Sequence, residues 1–322
     1  MSTANSTSIK PVTSGRRSPR KRKKLPKPAR RCERKPINGP ALTSLFFGTS
    51  AFAVPSLHAA ATHSRVAGVV TQPDRPAGRG QRSMPSPVKS AALELGLCVH
   101  EPERLKAFAR ELQDGSFDLF ALAAYGRILP PELLALPRLG ALNVHPSLLP
   151  KYRGATPIQT ALRNGDRETG VTVMLMDAGM DTGAIVLQRR VAIESGETYG
   201  ELHDRLAAAG ADLLAEAFDL AAEGDLPRSP QHGEPSVTRP TEKADLIVDW
   251  SWPARRIVDH VRAYSPQPAA RAVVDGEVVK LLRAHVAGDG TLAIDQLVAP
   301  NRGPASGEAY LRRRKLSQFP RR

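Results

Sequence analysis

The sequence has few cysteines, few aromatic residues and no long apolar run. Two cysteines, Cys32 and Cys98, occur among 322 residues, which are too few for a disulfide framework and lack the spacing of a zinc site. No apolar stretch approaches the roughly 20 residues of a membrane helix, and no segment near the N-terminus is typical of a secretory signal. We therefore expect a cytoplasmic protein with no metal and no membrane partner, and we expect it to be monomeric.

Acidic residues are nearly absent from residues 1–41, which contain thirteen Lys or Arg and one acid, Glu33. This segment carries +12 of the formal net charge of +14, so the remaining residues carry only +2. Because it has almost no large apolar residues, we predict a disordered basic extension. It is either an arm that binds RNA electrostatically or an extension without function, such as translated sequence upstream of the true start. A transit peptide fits less well, since no amphipathic helix is apparent.

Residues 42–223 alternate between short apolar strands and helices. The strands predicted in its first part are apolar throughout, and strands of this kind form parallel sheets that are covered on both faces. The pattern predicts an α/β domain with a doubly wound, mostly parallel, Rossmann-like sheet. Ligands of such domains bind beyond the carboxyl ends of the strands. A GxGxxG motif does not follow the first strand, so a dinucleotide site has little support.

The most distinctive local pattern is Asn-Val-His-Pro-Ser-Leu-Leu-Pro at 143–150. A strand is predicted to end at Val144, and the two prolines prevent regular structure immediately after it. Asn143 and His145 alternate by two, so they point to the same side of an extended chain. An amide and an imidazole at a strand end form either a reactive pair or a local polar cluster that satisfies backbone groups.

A second pattern, Asp-Ala-Gly-Met-Asp-Thr-Gly at 177–183, lies between two predicted strands. Two aspartates with glycines and a threonine predict a tight turn. Either both aspartates are solvated in a simple hairpin connection, or the turn holds a carboxylate beside His145. A neighbouring carboxylate fixes the orientation of an imidazole and favours its protonated form. Asn143 would then be a neutral donor for a developing oxyanion.

With these motifs the chain resembles the folate-dependent formyltransferase family, and within it the members that act on methionyl-tRNA. The resemblance covers residues 45–311. It is carried by short segments in a fixed order, at 47–49, 52–53, 71–80, 84–89, 124–126, 143–145, 147–150, 153–155 and 177–183.

The resemblance implies that 10-formyltetrahydrofolate is the formyl donor and that the acceptor is the α-amino group of methionine on initiator tRNA. It implies a catalytic trio of Asn143, His145 and Asp181, without a metal. It also implies that the donor site is lined by four consecutive residues, Ser147, Leu148, Leu149 and Pro150.

A basic segment at 72–89 contains Arg75, Arg79, Arg82 and Lys89 against one acid, Asp74. Taken alone, it could be a solvated surface loop. Its PDRPAGRG stretch resembles the loop that tRNA-specific members insert at the acceptor end of the tRNA. The resemblance therefore implies that Arg79 reads the first base position and that Arg82 binds phosphate.

The rest of the chain predicts a linker and a second domain. Residues 224–240 are rich in Pro and Gly, and residues 241–322 contain short strands of a small OB-like barrel. After residue 287 the chain passes through Gly-Asp-Gly almost directly to a final strand, whereas the relatives have a further strand pair. We therefore expect a shortened barrel.

Two other functions remain open at this point. A formyltransferase or 10-formyltetrahydrofolate hydrolase that acts on a small substrate would share the trio, although the basic loop and the second domain argue against it. A non-catalytic RNA-binding protein would explain the basic extension and leave the trio unexplained.

Overall fold

The computed structural model describes residues 42–77 and 82–320, except for the side chains of residues 75–77, 82 and 83. The predicted basic extension, residues 1–41, lies outside the described residues. Among the described helices, none is long and apolar enough to cross a membrane.

The first domain is built on a seven-stranded sheet. Its strands are β1 (Thr43–Gly48), β2 (Arg65–Val70), β5 (Val99–His100), β6 (Leu119–Ala123), β7 (Ala141–His145), β9 (Glu168–Leu175) and β10 (Ile185–Ala192). The spatial order is β10-β9-β7-β6-β1-β2-β5, with five parallel strands and an antiparallel edge formed by β9 and β10. A short hairpin of β3 (Arg75–Ala77) and β4 (Arg82–Met84) and a short strand, β8 (Arg153–Gly154), lie outside this sheet. The mostly parallel sheet is the predicted one.

Helices cover both faces of this sheet. They are α1 (Ala53–His63), α2 (Pro87–Glu94), α3 (Leu105–Glu111), α4 (Pro131–Leu134), α5 (Pro157–Arg163) and α6 (Tyr199–Glu223). Because neighbouring strand residues face opposite ways, Phe46 packs into a core with α1 and α6, and Phe47 into a second core with α3 and α4. The central strands are therefore chiefly apolar on both faces.

Helix α6 shows how the sequence defines a helix. The Glu201 carboxylate accepts hydrogen bonds from the backbone amide of Thr198 at 2.8 Å and from its hydroxyl at 2.7 Å, which fixes the N-terminus. Leu202, Leu206 and Leu214 are buried along one side, and Gly224, with φ 83°, ends the helix in the left-handed conformation.

The predicted linker packs along the first domain. It contains β11 (Val237–Thr238), which pairs in parallel with β8, and is followed by a short 3₁₀ turn (Ala244–Leu246). The second domain is an antiparallel sheet of β12 (Ala270–Val274), β13 (Glu277–Val286), β14 (Leu292–Val298) and β15 (Pro304–Ala305), with α7 (Ala254–Tyr264) and α8 (Gly307–Arg314).

Sequence analysis assigned no helix to α7 or α8. Helix α7 has no simple apolar stripe, because eight consecutive residues, including Asp259 and Arg262, are buried. These two charges are buried because they bind each other, with Arg262 Nε 2.8 Å from Asp259 Oδ1. Helix α8 buries only Gly307 and Tyr310, which is too little for a periodic signal.

Candidate active site

Asn143 and His145 lie at the carboxyl end of β7, a strand between β6 and β9. Leu142 and Val144 point into the core beneath α6, so Asn143 and His145 share the opposite face, as their spacing predicts. His145 is only 4% exposed, whereas Asn143 is half-buried. No described residue hydrogen-bonds the Asn143 side chain, so its amide is available to a ligand.

The imidazole of His145 is held at both ring nitrogens. Its Nε2 lies 2.9 Å from the backbone carbonyl oxygen of Tyr152, and because a carbonyl only accepts, Nε2 carries the hydrogen. Its Nδ1 lies 3.6 Å from Asp181 Oδ2, which is an ion-pair distance longer than a hydrogen bond. Nδ1 is therefore the nitrogen that can exchange a proton or donate to a substrate.

Tyr152, which sequence analysis left without a role, fixes the Nε2 side of this arrangement. Its φ of 60° is left-handed, a conformation that costs energy for a residue other than glycine and is common at functional sites. Its hydroxyl donates to Asp166 at 2.8 Å and accepts from the Asn164 amide at 2.9 Å. Burial raises the pKa of the Tyr152 phenol, which keeps it a neutral donor.

The turn at 177–183 gives its two aspartates different positions. Asp177 accepts hydrogen bonds from the Gly179 amide at 3.0 Å and from the Thr182 hydroxyl at 2.7 Å, so it closes the turn. Asp181 is left-handed, with φ 54°, and its Oδ2 accepts a hydrogen bond of 2.7 Å from the Gly154 amide. Of the two alternatives, the turn therefore brings one carboxylate, Asp181, beside His145.

The segment predicted to line the donor site follows β7 directly. Ser147 is fully buried, and its hydroxyl donates to the Lys151 carbonyl at 2.6 Å. Leu149 is 4% exposed, and its amide donates to Thr172 at 3.2 Å. Only Leu148 and Pro150 keep partly exposed side chains. This segment therefore offers a ligand chiefly apolar surface, because most of its polar groups maintain its own shape.

The two arginines predicted to bind tRNA cannot be placed fully. Arg79 lies outside the described residues, and Arg82 is described only as part of the β4 backbone. The base of this hairpin is anchored by Lys89, which donates to Asp74 at 2.7 Å and to Glu101 at 2.8 Å. These two hydrogen bonds raise the pKa of Lys89, and the bond to Asp74 contributes the most.

Comparison with known proteins decides the family. The formyl transferase profile matches residues 43–218, and the profile of the formyl transferase C-terminal domain matches residues 240–293. The chain belongs to the formyl transferase family. This formyl transferase is 48% identical to the methionyl-tRNA formyltransferase of Pelotomaculum thermopropionicum over 246 residues, which cover 75% of the chain and 78% of the relative. It is 45% identical to that of Xanthomonas euvesicatoria over 289 residues, 85% of the chain and 92% of the relative.

Solved structures share the fold of this formyl transferase at lower identity. HypX from Aquifex aeolicus, solved in complex with tetrahydrofolic acid, aligns with a TM-score of 0.60 and 17% identity. The alignment covers 84% of the chain and 47% of HypX, so the chain spans about half of that larger protein. Within the described residues, no group of three or more His, Cys, Asp or Glu could hold a metal ion.

Proposed function

We propose that this formyl transferase moves the formyl group of 10-formyltetrahydrofolate to the α-amino group of methionine on initiator tRNA, for translation initiation in the cytoplasm. The observation that carries the proposal is the position of Asn143, His145 and Asp181 at one end of the sheet. The 48% identity to a methionyl-tRNA formyltransferase supports the choice of acceptor.

Asn143 is the neutral donor of the proposed site. In the reaction the amine attacks the formyl carbon, a C–N bond forms and negative charge develops on the formyl oxygen. The Asn143 amide, which has no partner among the described residues, can donate a hydrogen bond to this oxygen. Its position on a buried sheet means that little reorganisation is needed, and this is the condition under which such donors stabilise a transition state most.

His145 is the second proposed hydrogen-bond donor, and its hydrogen bonds indicate which ring nitrogen donates. Since Nε2 is bonded to the Tyr152 carbonyl, donation to the formyl oxygen comes from Nδ1, which requires the protonated imidazole. Asp181, 3.6 Å from Nδ1, orients the ring. When the intermediate collapses, the C–N bond to the folate breaks, and the folate nitrogen takes up the proton that the amine releases.

The donor is proposed to lie against residues 147–150. Leu148 and Pro150 would supply apolar contact, while the backbone of this segment remains fixed by Thr172 and by Gln188, whose amide donates to the Leu149 carbonyl at 3.1 Å. Its connection to β7 places this wall beside Asn143 and His145. We therefore expect substitutions at Leu148 to change the KM for the donor more than kcat.

The acceptor end of the tRNA is proposed to meet the hairpin that carries Arg79 and Arg82. The hairpin follows the carboxyl end of β2, and Lys89 ties its base to Glu101, which directly follows β5. Because β2, β5 and β7 run parallel in one sheet, these strand ends lie at the same edge as Asn143 and His145. Arg79→Ala should raise the KM for charged tRNA while donor binding stays unchanged. Unchanged formylation by this variant would argue against the proposed role of the hairpin.

The deciding experiment is transfer of labelled formyl from 10-formyltetrahydrofolate to charged initiator tRNA. Elongator methionyl-tRNA and glycinamide ribonucleotide are added as competing acceptors. We expect label on the initiator methionine and little on either competitor. Preferential labelling of glycinamide ribonucleotide would favour a small-substrate formyltransferase, and release of free formate without an acceptor would favour the hydrolase.

A further inference from the structure

Gln231, in the segment between the two domains, contacts both sides of the candidate site. Its side-chain amide donates to the backbone carbonyl of Asp181 at 2.8 Å and to that of Gly183 at 2.9 Å. Its side-chain oxygen accepts two hydrogen bonds from Arg153, at 2.7 Å and 3.2 Å. The amide orientation is unambiguous, because the reverse orientation would set donors against the guanidinium.

These four hydrogen bonds join two segments that meet at Asp181. Arg153 directly precedes Gly154, whose amide binds the Asp181 carboxylate, and the Asp181 carbonyl is bound by Gln231 itself. The left-handed backbone of Asp181 is unfavourable for a residue with a Cβ, so contacts from outside the turn are needed to stabilise it. Gln231 supplies such contacts.

Neighbouring residues of the same segment hold the His145 side of the site. The Tyr152 amide donates to the Ser236 hydroxyl at 2.8 Å, and the Arg153 amide donates to the Ser236 carbonyl at 2.8 Å. The Thr238 hydroxyl donates to the Arg153 carbonyl at 3.0 Å. The segment thus binds the backbone that presents Tyr152 to His145, as well as the backbone of Asp181.

We propose that Gln231 is a positioning residue for Asp181, so that the segment between the domains forms the outer layer of the active site. The proposal rests on the role proposed above for Asp181. The nitrogen and the oxygen of the Gln231 side chain are both bound to protein groups, so the proposed role is indirect. Gln231 maintains the distance between the Asp181 carboxylate and His145 Nδ1, and it therefore acts on turnover and not on binding.

The test compares three substitutions in the full chain. Gln231→Leu removes all four hydrogen bonds. Gln231→Glu keeps the size and the pairing with Arg153 but cannot donate to the Asp181 carbonyl. Gln231→Asn is shorter by one methylene and is the mildest change. Because small displacements of catalytic groups are costly, we expect kcat to fall by about tenfold to a hundredfold for Leu and Glu, and less for Asn, with the KM for the donor unchanged.

Glu234→Leu is the matched control, since Glu234 is exposed in the same segment and should keep the wild-type kcat. A second arm combines Gln231→Leu with Asp181→Asn and measures single-turnover transfer. If Gln231 acts through Asp181, its loss should have little further effect when Asp181 is already replaced. An equal fall in both backgrounds would show a general structural role and would overturn the proposal.

The two proposals fail in different ways. A wild-type kcat for the Gln231 variants, with Asp181→Asn nearly inactive, would refute the positioning role alone. A wild-type kcat for Asp181→Asn would refute the catalytic role of Asp181, and the Gln231 proposal with it.

Discussion

The two sheets of the chain differ in what they expose. Every residue of β1 and β6 in the first sheet is buried, whereas β12 and β13 in the second alternate between buried and exposed positions. A strand buried on both faces can present polar groups only where it ends, which is where Asn143 and His145 lie. The second sheet instead exposes both polar and apolar side chains along its length, among them Lys280, Arg283 and Val278.

The two regions meet at a polar joint. Helix α7 packs between α5 and β13, and its Arg262 donates to the Leu162 carbonyl of α5 at 3.4 Å. Arg163 of α5 donates to the Tyr264 hydroxyl at 3.0 Å. Separating the domains would therefore break these two hydrogen bonds and expose Arg262, which is buried in the assembled chain.

The largest expected effect comes from removing Asp259, the carboxylate that pairs with Arg262 within α7 beside this joint. Asp259 and Arg262 are 5% and 6% exposed, so Asp259→Ala leaves a buried guanidinium without its carboxylate. Loss of one partner from a buried pair costs about 3–5 kcal/mol, and denaturant unfolding should show that decrease. Arg255→Ala is the control, because Arg255 binds the same carboxylate from an exposed position and should cost less than about 1 kcal/mol. Equal effects would contradict a buried joint.

The next largest effect is expected on turnover, from two substitutions in the first domain. Asn143→Ala and His145→Ala each remove one proposed oxyanion donor, which typically costs about 2.7–4 kcal/mol of barrier. We expect kcat for formyl transfer to fall by at least about a hundredfold with donor affinity nearly intact. His58→Ala, at an exposed position of α1, should leave kcat unchanged. Near-normal turnover of the first two variants would exclude the proposed role.

The fold and the position of the polar pair in the candidate site were predictable from local sequence patterns. Strands covered on both faces are chiefly apolar, so the polar pair at 143 and 145 stands out at the point where β7 ends. The turn at 177–183 also carried a local signal, since its glycines and aspartates allow few other structures. The short distance between Asp181 and His145 depends on the tertiary structure. The sequence pattern left a carboxylate beside His145 as one of two alternatives, and the resemblance to a family favoured it.

The supporting residues were not predictable in the same way. Gln231 lies in a segment whose prolines and glycines predict only a linker, and its four hydrogen bonds depend on residues about 50 and 78 positions away. Tyr152 acts through its backbone carbonyl, which any residue possesses. Such contacts leave no pattern in one sequence, because they depend on where distant backbone groups meet.

A third prediction tests the joint by pH. Burial lowers the pKa of His260 from 6.5 to about 4, between the rings of Trp252 and Tyr264. Since the folded pKa lies below the unfolded one, stability present above pH 6.5 is lost as the pH falls towards 4, by up to about 3 kcal/mol. The unfolding free energy of His260→Phe should fall less over this interval than that of the wild type. Parallel pH profiles would show that His260 does not contribute.

The smallest effects should come from two glycines with positive φ, one in each region. Gly276, in the β12–β13 turn, has φ 74° and open space where a Cβ would lie, so Gly276→Ala should cost only the left-handed strain of about 1–2 kcal/mol and leave kcat unchanged. Gly154 has φ 98°, and a Cβ there would overlap the Thr238 carbonyl oxygen. Gly154→Ala must therefore shift the amide that binds Asp181, and we expect kcat to fall by about tenfold as well. If both variants lose only stability and keep the wild-type kcat, the Gly154–Asp181 contact does not serve catalysis. The backbone at Gly154 would then matter no more for turnover than the backbone at Gly276.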